Sequence, residues 1–159
     1  MSIPKFLTGS IAFLALTLFL LSALSAGAEE LEQTATPTFI RGGKVISTDM
    51  AKSFFSNKEA EFYDVRSADD FSKARIHGAR VLSYQENSER TPDFNHSVDR
   101  FDLAQLPPNK GQTVIFYCNG PTGWKSYKAA VLAIRSGYRD VMWLRDGFSG
   151  WQSARLPVE

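Results

Sequence analysis

Cys118 is the chain's only cysteine, and the residues around it are of the types that activate a thiol. It follows the apolar run 113–117 and precedes Asn119, Gly120, Pro121, Thr122, Gly123, Trp124, Lys125 and Ser126. Glycines flanking a proline let a loop curl its N–H groups inward around an anion or a sulfur atom. Ser126 is placed to cap a following helix, and a helix N-terminus, loop N–H groups and Lys125 each favour thiolate over thiol. The chemistry on offer is nucleophilic attack, with an anionic sulfur species as the natural ligand. The competing reading is an inert buried thiol beside an ordinary turn, since free cysteine is among the most buried residue types.

The elements that would hold this loop alternate between strand and helix. Val45-Ile46 reads as a short strand, and Ser47-Thr48-Asp49 offers N-caps for a helix through Met50, Phe54 and Phe55 that Asn57 ends. A second strand at 61–65 leads into a short helix around 69–74, and a third follows at 81–82. Thr113 to Tyr117 has the β-branched and aromatic character of a central buried strand. After the loop, Ala129, Ala130, Ala133 and Ile134 fall at helical spacing, with Gly137 as the C-cap. The last strand is 141–144, and Gly147 to Trp151 opens a final short helix. Residues 85–108 are polar and Pro-bearing and read as a long loop plus a helix. The alternation predicts an α/β domain with a mostly parallel sheet, in which a cysteine at a strand's C-terminal end stands where such sheets place ligands.

Lys5, the uncharged run 11–24 and Ala26-Gly27-Ala28 have the order of a secretory signal cleaved after residue 28. An uncleaved anchor is the alternative, because the run from Phe6 to Ala28 could span a bilayer if tilted. Residues 29–38, acidic and then Thr- and Pro-bearing, read as a flexible lead-in, which leaves 39–159 as one domain. Removing 1–28 takes away Lys5 and no acid, leaving 17 basic against 17 acidic residues. A neutral chain offers no electrostatic footprint for nucleic acid, and cleavage of the signal leaves no membrane segment. His77 and His96 are the only histidines and lack metal-ligand spacing, so no metal or cofactor is expected. A single cysteine in an exported protein cannot form an internal bridge.

With these residues in view, 40–158 resembles a single-domain rhodanese, a member of the sulfurtransferase family. "FYDVRSADDF" resembles its strand-end Asp-Val-Arg motif, "RIHGA" its His-Ile-Pro-Gly-Ala turn, and "GFSGWQSARLPV" its C-terminal ending. The resemblance implies a three-layer α/β fold, a five-stranded parallel sheet flanked by helices. It implies Cys118 as the sulfur acceptor in a two-step cycle, with a small sulfur-containing anion or thiol as substrate and no cofactor. Arg66 would aim at an anionic donor or at a carboxylate that fixes the loops, and Asp64 would be a structural acid. Trp124 would wall the pocket, dock a partner or simply pack.

The loop departs from the family, whose members usually have a shorter one with an arginine ahead of the helix-starting Ser or Thr; here Lys125 precedes Ser126. A closer resemblance is to a rhodanese-like subgroup associated with pyrroloquinoline-quinone-dependent oxidation, whose loop ends in Cys-Trp. Gly123-Trp124-Lys125-Ser126, "GYRDVMW" and "DGFSGW" carry it, and Gly123 replaces that subgroup's second loop cysteine. The expectation is therefore a periplasmic sulfurtransferase, with a non-catalytic binding module for a periplasmic protein partner as alternative. A phosphatase or arsenate reductase with a Cys-x5-Arg cradle ranks below both, because Trp124 stands at the arginine position.

Overall fold

The computed structural model describes residues 35–159; the expected signal, 1–28, and most of the lead-in lie outside the described residues. Five strands, β1 (Lys44–Ile46), β2 (Glu61–Asp64), β3 (Arg80–Val81), β4 (Val114–Tyr117) and β5 (Val141–Leu144), form one sheet in the order β1-β5-β4-β2-β3. Every pairing is parallel: Phe62 lies beside Ile115, Phe116 beside Trp143, and Val45 beside Trp143 on the sheet's other flank. β4 is fully buried, as its unbroken apolar run requires in a sheet covered on both faces.

Alternation along the strands sorts side chains to two cores. Tyr63, Val114, Phe116, Val141 and Trp143 face helix α3 (Trp124–Arg135) and its Ala129, Ala130 and Ala133. Phe62, Ile115, Tyr117, Met142 and Leu144 face Ala51 of α1 (Thr48–Asn57) and Phe148 and Trp151 of α4 (Gly147–Ser153). A short helix, α2 (Ala68–Lys73), capped by the Ser67 hydroxyl, links β2 to β3. The result is the expected three-layer α/β fold.

Local chemistry ends each helix. The Ser47 hydroxyl accepts from the Met50 N–H at the start of α1, and Lys58 closes it with φ 56°. At the end of α3, Gly137 takes φ 92° while its N–H reaches the Ile134 carbonyl and the Tyr138 N–H reaches Ala133, the paired bonds of a Schellman motif.

Two expectations are corrected. α3 starts at Trp124, with Gly123 at the cap position, so Ser126 lies inside the first turn. Its hydroxyl donates to the Gly123 carbonyl at 2.9 Å and accepts from Trp143 Nε1 at 3.0 Å, bracing the turn from within. The helix expected in 85–108 is replaced by two 3₁₀ turns, His96–Val98 and Leu103–Gln105. This stretch is organised by Asp99, whose Oδ1 accepts from the Asn87 and Ser88 N–H groups, each at 2.7 Å. Its Oδ2 accepts from the Tyr84 and Ser88 hydroxyls, each at 2.6 Å. Burial opposes the charge on Asp99, but these donors outweigh it and hold the carboxyl pKa at about 2.

Candidate active site

The C-terminal ends of β2, β4 and β5 lie side by side and deliver Arg66, Cys118 and Arg145 to one end of the sheet. Cys118 leaves β4 directly, and the chain then turns through residues 119–123 into α3. The turn is fastened from outside: the Cys118 carbonyl accepts from the Phe148 N–H at 2.8 Å and the Asn119 carbonyl from Ser149 at 2.9 Å. Two of the first N–H groups of α4 thus hold the loop's incoming strand, and Gly147 makes that approach possible. Its φ is 60°, and a Cβ there would stand 2.5 Å from the Cys118 carbonyl oxygen. Gly147→Ala is expected to cost about 2–3 kcal/mol, from left-handed strain and the forced shift of the loop. Chemical denaturation with an unchanged midpoint would contradict it.

Within the loop, the Gly123 N–H donates to the Gly120 carbonyl at 2.8 Å and the Trp124 N–H to Thr122 at 3.1 Å. A Cβ on Gly123 would lie 2.8 Å from Cys118 Cβ and 3.2 Å from its Sγ, so the loop closes this tightly over the sulfur because position 123 lacks a side chain. A second cysteine there would require a different loop conformation. Among the described residues, the N–H groups of Gly120, Thr122 and Lys125 donate to no protein acceptor. The structure therefore leaves three N–H donors without a protein acceptor among the described residues, two in the loop and one in the first turn of α3.

Cys118 itself is only 6% exposed. Burial pushes its thiol above the ordinary value, and Asp64 adds to this; the Asn119 N–H, Lys125 and Arg66 pull the other way without cancelling it. This corrects the expectation of a resting thiolate, because desolvation at the strand end outweighs the loop donors. A raised pKa means that the nucleophilic form grows in with alkali. Iodoacetamide alkylation of Cys118 should therefore climb through and beyond pH 8.5, the usual thiol value. A plateau below pH 7 would overturn the assignment. Lys125 is the loop's own cation, and Lys125→Ala should slow alkylation at pH 7.5 by roughly two- to fivefold, the scale of a partly exposed charge interaction.

Arg66 is engaged within the fold. It is buried on Asp64, with Nε 3.0 and 3.1 Å from the two carboxylate oxygens and Nη2 2.6 Å from Oδ2, while Nη2 also donates to the Ala74 carbonyl at 2.7 Å. Its guanidinium stacks 4.3 Å from the Phe148 ring centroid. Burial opposes the charge, but Asp64 more than compensates and raises the guanidinium pKa. The pair welds the β2 end to α4, the helix that holds the Cys118 carbonyl. Asp64 is fully buried and accepts from both the Arg66 N–H and its guanidinium. Trp124 is buried, with its ring edge-on to Tyr127 at 5.6 Å. Asn119, Pro121 and Thr122 are exposed, and Gly120, Gly123 and Lys125 half-buried.

Sequence reading missed Thr36, Pro37 and Arg145. Thr36 is 3% exposed, and both its N–H and its hydroxyl donate to the Pro121 carbonyl. Arg145 donates to the Pro37 carbonyl from Nε at 3.0 Å and to the Thr36 carbonyl from Nη2 at 3.1 Å. An arginine directly after β5, much as Arg66 follows β2, was the available signal.

The chain belongs to the rhodanese-like family: the family model described as "Rhodanese-like domain" matches residues 47–154. Among curated proteins it is similar to thiosulfate sulfurtransferase GlpE of Actinobacillus succinogenes, 32% identical over 116 residues, which are 72% of this chain and 88% of that protein. Among solved structures it resembles the rhodanese-like domain of Anabaena sp. Alr3790, 19% identical with a TM-score of 0.53, over 72% of this chain and 76% of that one. It also resembles RPA3614 of Rhodopseudomonas palustris, a protein of unknown function described as a possible tyrosine phosphatase. That match is 19% identical with a TM-score of 0.54, over 99% of this chain and all of that one. At these identities the structural likenesses establish the fold alone.

Proposed function

We propose that this protein is an exported sulfurtransferase that carries a sulfane sulfur on Cys118 from thiosulfate, or a persulfide or polysulfide donor, to a thiophilic acceptor. The observation that carries this reading is the turn itself, a single sulfur at the end of the central strand beneath a loop with donors to spare. In the first half-reaction the Cys118 thiolate attacks the outer sulfur of thiosulfate; the donor's S–S bond breaks and sulfite leaves with the bonding pair. The Cys118 persulfide that remains carries negative charge on its outer sulfur, which the N–H groups of Gly120, Thr122 and Lys125 are available to hold. In the second half-reaction a thiolate or cyanide takes that sulfur, and Cys118 leaves as thiolate. No external oxidant or reductant enters, and no cofactor is required. The similarity to a thiosulfate sulfurtransferase supports this donor class.

The loop and its sequels support kinship with the rhodanese-like subgroup of pyrroloquinoline-quinone-dependent oxidation, and with it a periplasmic location and a periplasmic protein as partner. The test of the reaction is cyanide-dependent thiocyanate release by residues 29–159, with intact mass after thiosulfate. A Cys118-dependent gain of one sulfur, about 32 Da, is expected; no adduct in folded, reduced protein would reject transfer. Recovery of a chain starting at Glu29 from the periplasm tests export, and retention of an intact N-terminus would reject cleavage.

One observation favours the second reading, a binding module: the buried, high-pKa thiol of Cys118. Deletion of 119–125 that abolishes capture of a periplasmic partner, with no turnover in the unaltered protein, would select it. The phosphatase reading has no guanidinium in the loop, since Arg66 is held by Asp64 and Trp124 is packed.

A further inference from the structure

The lead-in reaches the catalytic turn, which is where its ordering has consequences. Pro121 is the residue of the loop farthest along the chain from both of its anchors, the Cys118 and Asn119 carbonyls on α4 and the first turn of α3. Its carbonyl is held by Thr36, through the N–H at 3.3 Å and through the hydroxyl. Thr36 is in turn clamped by Arg145, whose guanidinium spans the Thr36 and Pro37 carbonyls. The clamp grows directly out of β5, the strand beside β4, so the sheet fixes both the sulfur and the strap's anchor.

We propose that Arg145 and the Thr36-Pro37 strap are positioning elements of the sulfur loop, a role that rests on the sulfur-transfer reading for its effect on rate. The physical link is the Pro121–Thr122 peptide. The described chain has no cis bond, and in a trans peptide the C=O and the following N–H point in opposite directions. Pinning the Pro121 carbonyl on the strap therefore sets the direction of the Thr122 N–H, one of the loop's two N–H groups without a protein acceptor among the described residues. Without the strap that peptide plane is free to turn over and present its carbonyl in place of its donor. A carbonyl turned toward a persulfide repels the charge that the N–H would hold, so a flip converts a stabilising dipole into an opposing one. The segment that precedes the family-matched residues 47–154 is then part of the site.

The experiment uses the otherwise unaltered protein with Arg145→Met, Arg145→Lys and Thr36→Val, read three ways. Amide hydrogen exchange reports the loop without reference to any reaction. Arg145→Met should speed exchange at 120–125 by about tenfold or more and leave α1 unchanged. In thiosulfate-to-cyanide transfer, Arg145→Met should lower kcat roughly ten- to hundredfold, the scale of a misplaced catalytic group. The Cys118 persulfide should also decay faster, measured by intact mass. Arg145→Lys keeps one donor and should recover part of kcat, and Thr36→Val should lose less than Arg145→Met because its N–H remains. A lowered melting temperature with unchanged loop exchange, kcat and persulfide lifetime would show a merely structural clamp and overturn the proposal. If the unaltered protein transfers no sulfur, the sulfur-transfer reading fails by itself, and loop exchange alone decides the strap's role. Faster exchange at 120–125 then upholds that role, and unchanged exchange overturns it.

Discussion

Cys118→Ser is expected to reduce sulfur transfer by at least roughly 10³-fold while leaving the melting temperature within a few degrees. Serine cannot form the S–S bond on which the two half-reactions depend, so the loss is of the covalent route and not of binding alone. The fold should tolerate the change because Cys118 packs at the edge of its core, 6% exposed, and the substitution alters one atom. The geometry of the turn is set by backbone bonds from Phe148 and Ser149 and not by the sulfur. Thiocyanate release by the serine variant at more than a few per cent of the parent rate would remove Cys118 from the mechanism. A variant that lost turnover only by unfolding would show itself in its circular dichroism, and Cys118→Ala, read for the same sulfur adduct, supplies an independent check.

The alkylation profile decides how the buried thiol is used. A donor must reach a sulfur that burial keeps protonated, so turnover should rise with pH together with alkylation. The same shift bears on stability with a definite sign. A thiol whose folded pKa is raised contributes stability below its unfolded value, and that contribution is lost as pH rises through the folded one. Asp99 works at the opposite end: its depressed pKa contributes stability above the usual carboxylate value that is lost as pH falls toward about 2.

What the sequence made legible follows a physical line. β4 and β5 are apolar runs whose burial is written in residue type, and Cys118 could be placed at a strand end because β4 could be. The loop was legible through Gly120, Pro121 and Gly123, which mark backbone demands directly. Arg66 was harder, since type and position cannot say whether a guanidinium faces a ligand or the carboxylate two residues before it. The region 85–108 resisted because its order comes from polar groups converging on Asp99, and hydrogen-bond hubs leave no periodicity. The strap resisted for a related reason. Thr36 meets Pro121 across 85 positions, and nothing local to 29–38 encodes a contact so distant. The thiolate was misread because sequence shows the donors near a cysteine and hides the desolvation that opposes them.

The largest stability loss is expected from Lys128→Ala. Lys128 lies in the middle of α3 with its side chain fully buried, an arrangement a lysine adopts only when paired. Its Nζ donates to the Ser88 hydroxyl at 2.8 Å and carbonyl at 3.1 Å and stands 2.8 Å from Glu86 Oε1. That oxygen makes no hydrogen bond among the described residues and is met by the ammonium only as an ion pair, while Oε2 accepts from the exposed Arg90 at 3.2 Å. Lys128 therefore joins the helix that follows the sulfur loop to the polar region held by Asp99, through a charge that neither partner can replace. Removing it leaves a buried carboxylate oxygen without its counter-charge and the Ser88 carbonyl without the ammonium donor, a loss of about 3–5 kcal/mol. Lys128→Met should do little better, since methionine fills the space and supplies no donor. Pairing Lys128→Met with Glu86→Leu should recover most of the loss, because the double change removes both charges together. Urea midpoints of the two single variants and the double variant measure the coupling. Additive losses would show that the pair is incidental; a double variant more stable than Lys128→Met would show that the penalty lies in the stranded carboxylate. The ion pair would then serve to fix where the 85–99 segment docks on α3, more than to add stability of its own.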